Sequence, residues 1–228
     1  MRKGIELESK KVGFLTIGQS PREDVISEIR PLLLPQIEIY EEGLLDGLPP
    51  EGIDLLKPAA GEIPLITRLR DHSQVLLSEE KVRSLMHEAL DNIRNKMHIR
   101  AAGVLCTHDF QLPRPSYPVI FPYDYMHFLI TRALRINILG VVVPLEGQVE
   151  MGRTKWEVER AITDVMSPYE EGKEWEETAR KFSQEKVEAV VLDCMGFRIQ
   201  DKQQLQNLLP CPILLPRAIL AQAINQLF

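Results

Sequence analysis

Two cysteines stand where apolar strands would end: Cys106 follows Ala-Ala-Gly-Val-Leu and Cys194 follows Ala-Val-Val-Leu-Asp. A thiolate is a soft, compact base, and a thiol can give its proton back. One of each on opposite faces of a carbon acid could remove a proton from one side and return it from the other. That chemistry needs thiol pKa values near the working pH, tuned by helix N-termini and neighbours. The alternative for either cysteine is a small buried core residue. Cys211, just before Pro212 at the start of a strand, lacks the strand-end placement and reads as structural.

Other candidates cluster at the same kind of place. His108 could orient a leaving group, protonate it, or exchange protons with Cys106. Cys106, His108 and Asp109 could instead form part of a metal site, but no CxxC or HxxxH supplies further ligands, so no metal is expected. Gly18-Gln19-Ser20-Pro21-Arg22 leads into a helix whose exposed N–H groups would favour an anion. With one glycine and no Lys-Ser/Thr, it is neither a dinucleotide fingerprint nor a phosphate loop. A carboxylate or single phosphate held by backbone N–H groups, Gln19, Ser20 and Arg22 suits it; plain helix capping is the competing reading. Gln148 could add amide hydrogen bonds or be a surface residue. Asp193 beside Cys194 would raise the thiol pKa, though adjacent strand residues point to opposite faces.

These residues need elements to position them. Apolar runs at residues 12–17, 37–40, 101–106, 138–143, 161–166, 189–193 and 212–215 read as strands. Helical patterns fall at 21–30, after Ser78 (Val82, Leu85, Met86, Leu90 and Ile93 in register), 123–134, 148–160, 173–185, 201–208 and 218–227. Ser20 and Glu23 have capping-box spacing, with Pro21 at the first helical position, and Ser78 caps the helix that follows it. Residues 65–70 and 74–77 flank Asp71-His72-Ser73 as a hairpin, 43–61 is loop or short helix, and proline-rich 112–122 is extended loop. This alternation is that of an α/β protein with mainly parallel strands. Val12-Gly13-Phe14-Leu15 also echoes Leu139-Gly140-Val141-Val142, and the two cysteine-bearing strands resemble each other. Either all buried strands look alike, or the chain has two similar halves. In open parallel sheets, ligands bind beyond the carboxyl ends of strands, where Gly18-Gln19-Ser20, Cys106-Thr107-His108, Pro144 to Gln148 and Cys194-Met195-Gly196 all fall.

Composition narrows the function classes. The 228 residues, 44% hydrophobic and 26% charged, match a globular chain with a full core. Twenty-seven basic against 33 acidic residues give a net charge of −6, without the basic excess that nucleic-acid binding requires. No apolar run is long enough to span a membrane, and residues 1–11 carry no apolar secretory core. Three cysteines then read as reduced thiols of a cytoplasmic protein.

Residues 11–22, Pro64-Leu65-Ile66-Thr67-Arg68-Leu69-Arg70-Asp71, Gly140-Val141-Val142-Val143-Pro144 and Val191-Leu192-Asp193-Cys194-Met195-Gly196-Phe197 resemble the AroM family over nearly the whole chain, the last block being the most specific. More distantly the sequence is similar to the aspartate/glutamate/hydantoin racemase superfamily. That resemblance implies two pseudo-symmetric α/β domains with an interdomain cleft, an active-site cysteine from each, and no cofactor. Cys106-Thr107-His108 fits the superfamily's Cys-Thr-His, and Cys194 takes the second cysteine position. Gln19 and Ser20 fall where the first strand ends and meets substrate. The usual Cys-Asn-Thr is absent, and Met195-Gly196 follows Cys194 where Thr-His would stand. One-thiol relatives isomerise or decarboxylate instead.

The expectation is therefore an α/β protein with one domain at 1–122, a second at 123–215, and the final helix at 216–228 returning to the first. Its cleft would hold a small anionic metabolite. Cys106, Cys194 and His108 would be catalytic, with Gln19, Ser20, Arg22, Thr107, Gln148 and Gly196 binding substrate in a cofactor-independent racemase or isomerase. The rival is a non-catalytic binding or regulatory protein for an anionic metabolite linked to aromatic amino-acid metabolism. A homodimer is compatible with either.

Overall fold

The computed structural model describes residues 10–228, so the first nine residues of the expected N-terminal domain, and most of the segment read for a secretory core, lie outside the described residues. Two four-stranded sheets, each entirely parallel, form the frame. The first contains β1 (Lys10–Thr16), β2 (Ile37–Gly43), β5 (Ala101–Leu105) and β6 (Val119–Ile120) in the order β2-β1-β5-β6. The second contains β7 (Ile138–Val143), β8 (Arg160–Val165), β9 (Ala189–Leu192) and β10 (Ile213–Leu214) in the order β8-β7-β9-β10. Strand for strand these are the same topology. The antiparallel hairpin of β3 (Pro64–Arg68) and β4 (Gln74–Ser78) is an addition in the first half.

The internal echo is real at the level of register. Val12 of β1 faces Ala101 of β5, and Leu139 of β7 faces Ala189 of β9. Cys106 and Cys194 each lie five residues beyond those alanines, so the frame delivers them to equivalent points. Both central strands carry a glycine one residue further on. A Cβ at Gly13 would come within 2.7 Å of Ile93 on α3 (Glu79–Met97), and one at Gly140 within 3.0 Å of Phe182 on α6 (Trp175–Gln184). Missing side chains at those points let each helix close onto its sheet.

The last helix of each half covers the other half's sheet. In α4 (Pro122–Phe128), Tyr123 and Met126 pack with Leu139, Val141 and Val191 of the second sheet. In α8 (Pro216–Asn225), Leu220, Ala221 and Ile224 pack with Val12 and Phe14 of the first sheet and with α1 (Glu23–Ile29). Both helices start with proline at the first turn, where its missing N–H is harmless.

Several local expectations change. The first helix begins at Glu23 with Arg22 at the N-cap, and no side chain caps it. Ser20 does not form the expected capping box, because its N–H and hydroxyl are both bound to Asp46, at 2.9 and 2.5 Å. Ser78 holds the N-cap position of α3 without a side-chain hydrogen bond to it. The helix expected over 148–160 is only α5 (Val149–Thr154), because the chain turns at left-handed Glu157 before β8 begins. Residues 43–61 include the short α2 (Pro50–Asp54), and α7 (Ile199–Leu208) precedes β10. No helix among the described residues is long and apolar enough to cross a membrane.

Gly43 ends β2 against the turn that leads to Arg22. A Cβ there would lie 2.5 Å from the Gly18 carbonyl oxygen and 2.7 Å from the Ser20 nitrogen, and backbone cannot give way as a side-chain tip can. Gly43→Ala should lower stability by about 1–3 kcal/mol in urea unfolding. Gly52→Ala in α2, where no neighbour comes closer than 3.4 Å, should be neutral or stabilise by up to ~1 kcal/mol. Equal midpoints for the two variants would refute the steric account.

Candidate active site

The carboxyl ends of the two sheets face a common cavity, and both cysteines line it. Cys194 is buried and Cys106 half-buried. Each sulfur accepts a backbone N–H from two residues downstream: Gly196 N–H donates to Cys194 Sγ at 3.4 Å, and His108 N–H donates to Cys106. The two-fold likeness thus extends to the atoms around the thiols. Burial nevertheless pushes Cys106 up to about 12 and Cys194 up to about 11, and the amide donors recover only part of that. The expectation of thiols poised near neutral pH is corrected for the ligand-free cleft: both are protonated there.

His108 lines the same cavity. Burial, and then the charge of Lys155, hold its pKa down at about 4, so its imidazole is neutral at pH 7. Its Nε2 sits 3.3 Å from Glu79, while Nδ1 is buried with no hydrogen-bond partner among the described residues. Asp109 turns to the Gln111 N–H. Among the described residues no group of three or more His, Cys, Asp or Glu side chains is arranged to hold a metal ion.

Lys155 dominates one side of the cavity, and sequence reasoning missed it. It follows α5 at the point where the helical pattern breaks, and its type alone gives no signal. Its ammonium lies 2.8 and 2.7 Å from the two Asp193 oxygens and 3.1 Å from the Thr107 carbonyl. Three acceptors meet the three N–H donors of the ammonium. The Trp156 ring lies 4.7 Å from Nζ. Thr107 returns a hydrogen bond from its hydroxyl to the Asp193 carbonyl at 3.1 Å. The two thiol-bearing loops are therefore stitched together beside their sulfurs.

Arg22 forms the opposite corner and is 3% exposed. Nε and Nη2 grip Asp24 at 2.8 and 2.9 Å. Nη1 donates to the neutral hydroxyls of Thr16 (3.1 Å) and Thr67 (3.3 Å), and Nη2 reaches the Tyr169 hydroxyl at 3.5 Å. Tyr169, also unanticipated, is stacked on Arg68 at 4.4 Å. Its position depends on Gly196, where a Cβ would meet Pro168 at 2.8 Å and Tyr169 at 2.9 Å. Gly196 thus shapes the cavity from behind and does not line it.

The turn at Gln19 and Ser20 is not brought to the cavity. The N–H groups expected to hold an anion already have acceptors: Gln19 bonds the Arg68 carbonyl, Ser20 bonds Asp46, and Arg22 bonds Glu41. The Gln19 side chain bridges Leu45 and Arg70. Two carboxylates from distant segments occupy the role foreseen for a ligand. Gln148 does line the cavity, and it ties the second half to the first through the Pro64 carbonyl at 2.7 Å. The cavity is small, ≈ 30 Å³, room for one or two waters.

Removing one partner of the buried Lys155–Asp193 pair leaves an uncompensated charge. Lys155→Met should cost about 3–5 kcal/mol, and Lys155→Met/Asp193→Leu should recover most of it. A double variant no more stable than the single one in denaturant unfolding would refute the coupling. The thiols add a pH signature. Their folded pKa values stand above the ordinary 9.0, so the unfolded chain loses those protons first. Stability should then be unaffected below pH 8 and fall by up to about 1.4 kcal/mol per pH unit per thiol above pH 9. A Cys106→Ala/Cys194→Ala protein should lack this slope.

Comparison with solved structures finds the same fold in glutamate racemase from Thermus thermophilus (TM-score 0.60, 19% identity, covering 96% of this chain and 80% of that one). It is found also in glutamate racemase from Francisella tularensis subsp. tularensis SCHU S4 (0.57, 12%, 97% and 81%) and in the maleate isomerase Iso from Pseudomonas putida S16 (0.57, 11%, 95% and 92%). At such identities the likeness is one of architecture: two pseudo-symmetric α/β halves of the aspartate/glutamate racemase type. Comparison with curated protein sequences finds no significant match. The family model described as AroM protein matches residues 12–228, essentially all of the described structure, and the chain belongs to the AroM family.

Proposed function

We propose that this protein is a cofactor-independent racemase or isomerase of a small carboxylate, working in the reducing cytoplasm where its thiols stay free. The observation that carries this reading is the register-equivalent placement of Cys106 and Cys194 on one cavity, each with a backbone N–H on its sulfur. The substrate carboxylate would sit at Arg22 and Thr67, displacing the weak hydroxyl contacts there. One cysteine, as thiolate, takes the α-proton, and the C–H electron pair moves into the carboxylate as an enediolate beside Arg22. The opposite thiol then gives its proton to the other face of that carbon. The enzyme ends with thiol and thiolate exchanged, and no oxidant or reductant is needed. Neutral His108 and Thr107 hold the Cys106 loop in place.

The elevated thiol pKa values set the rate law. Burial keeps both thiols overwhelmingly protonated at pH 7 in the free protein. Exchange of the α-proton with solvent, followed by NMR in deuterium oxide, should therefore show kcat/KM rising about tenfold per pH unit from pH 7 towards 10, since kcat/KM reports the free enzyme. Cys106→Ala and Cys194→Ala should each lower the rate by about 10²- to 10⁴-fold. Exchange undiminished in both variants would overturn the assignment, and loss in one alone would indicate one-thiol chemistry.

The same protonated thiols favour a second reading, in which the cleft binds an anionic metabolite linked to aromatic amino-acid metabolism without transforming it. Saturable binding with no exchange between pH 7 and 10 would select that reading.

A further inference from the structure

We infer that this protein pairs with a second copy of itself through β4 of the hairpin, the two strands joining antiparallel about a two-fold axis at Val75. That surface lies outside the cleft and stands apart from either reading of its chemistry.

The hydrogen bonds around the hairpin fix which backbone groups are free. Leu69 N–H donates to the Ser73 carbonyl and Glu79 N–H to the Ile63 carbonyl, while Ser78 N–H turns the other way, to the Leu56 carbonyl at 2.8 Å. Successive residues of an antiparallel pair aim their backbone groups alternately at the partner strand and away from it. Arg68 stands opposite Gln74, Ile66 opposite Leu76 and Pro64 opposite Ser78. Gln74 and Leu76 therefore aim their N–H and C=O groups outward, as Ser78 does. Among the described residues nothing pairs with those groups. On the outer side of β3, by contrast, the Arg68 carbonyl accepts from Gln19 N–H and the Pro64 carbonyl from the Gln148 amide.

The edges of the two parallel sheets are defended against strand addition. β2 carries Glu38, Glu41 and Glu42, β8 carries Arg160 and Asp164, and β6 and β10 are two residues long. β4, Gln74-Val75-Leu76-Leu77-Ser78, has neither charge nor proline, and an edge of that kind attracts another strand. Beside it an apolar groove of ≈ 620 Å³ separates β4 from α2, lined by Leu48, Ile53, Leu69, Val75 and Leu76. Leu76 is 40% exposed.

The free stretch is short and bounded, which selects its occupant. The turn closes it at Ser73 and Leu56 closes it at Ser78, leaving Gln74, Val75 and Leu76. A long extended peptide would overrun both ends. A second β4 brings an edge of the same length. With Val75 opposite Val75, Gln74 of each copy faces Leu76 of the other, and each such pair exchanges both its hydrogen bonds. The outward groups of both copies are then satisfied and the groove is covered. Two hairpins become one four-stranded sheet, where a lone two-stranded hairpin is marginal. β3 carries Leu65, Ile66 and Thr67 to the thiol cavity, so the pairing braces one wall of each cleft.

Sedimentation equilibrium of the full chain should show twice the chain mass at high concentration and dissociation on dilution. Leu76→Lys puts a charge on the edge and should raise the dissociation constant about tenfold or more. Gln74→Pro removes an N–H that the hairpin does not use and should do the same. Phe128→Lys, at an exposed position of α4, should leave the constant unchanged. Residue-resolved amide exchange separates strand pairing from side-chain contact. Gln74 and Leu76 should exchange more slowly as the dimer forms, while Val75 and Leu77, already bonded within the hairpin, should not change. A chain that stays monomeric, a dimer kept at wild-type affinity by either hairpin variant, a dimer lost in Phe128→Lys, or unslowed amides at Gln74 and Leu76 would overturn the inference. Should a hairpin variant not fold, exchange in the wild-type chain decides alone.

Discussion

A lysine ammonium taken out of water must be fully paired, and in this protein the pairing of Lys155 fixes the geometry of everything around it. Its partners, Asp193 and the Thr107 carbonyl, stand beside Cys194 and Cys106. Such a buried pair is a poor source of net stability, since desolvation offsets much of the attraction. Its consequence is positional. Neither thiol-bearing loop can drift from the other without leaving a buried charge unpaired, so the pair fixes the two loops relative to each other.

Dryness has a second consequence. The environment that forces Lys155 and Asp193 together also disfavours thiolates and imidazolium, so Cys106, Cys194 and His108 are neutral in the ligand-free cleft. The frame is symmetric but the chemistry is not. Leu105 stands where the second half has Asp193, Thr107 where it has Met195, and His108 where it has Gly196. Cys106 feels the charge of Lys155, and Cys194 feels those of Arg22 and Arg217. Symmetry supplies two equivalent sulfur positions, and the flanking residues make them unequal.

The alternation of strand and helix was legible in the sequence because buried parallel strands and amphipathic helices leave local periodicities. Even the echo of Val12-Gly13 in Leu139-Gly140 proved to be the register of the fold. The site was legible only where a residue followed directly from a strand end, as with Cys106, Thr107, His108 and Cys194. Gln19 and Ser20 misled because their N–H groups are satisfied by Asp46 and by the Arg68 carbonyl, partners that no local pattern reveals. Arg22 was found for the wrong reason: its guanidinium lines the cavity, while its backbone N–H is taken by Glu41. Lys155 and Tyr169 lie in irregular segments, where the sequence carries no period to place them.

The strength of the links across the cleft decides where it can open. On one edge, fully buried Arg217 of α8 donates to the Met195 carbonyl at 2.6 and 3.2 Å and to Glu28 of α1 at 2.8 Å. Lys155 adds its three bonds, and α4 and α8, each seated on the other half's sheet, seal that side with hydrocarbon. On the other edge, Tyr169 touches Arg22 at 3.5 Å and stacks on Arg68. The first set cannot separate without stranding buried charge, which costs several kcal/mol. The second forfeits one long hydrogen bond and a cation–π contact of about 0.5–2 kcal/mol. The Tyr169 contacts are therefore the weakest of these links, weaker also than the 2.7 Å bond from Gln148 to the Pro64 carbonyl, and they are the ones that cover Arg22.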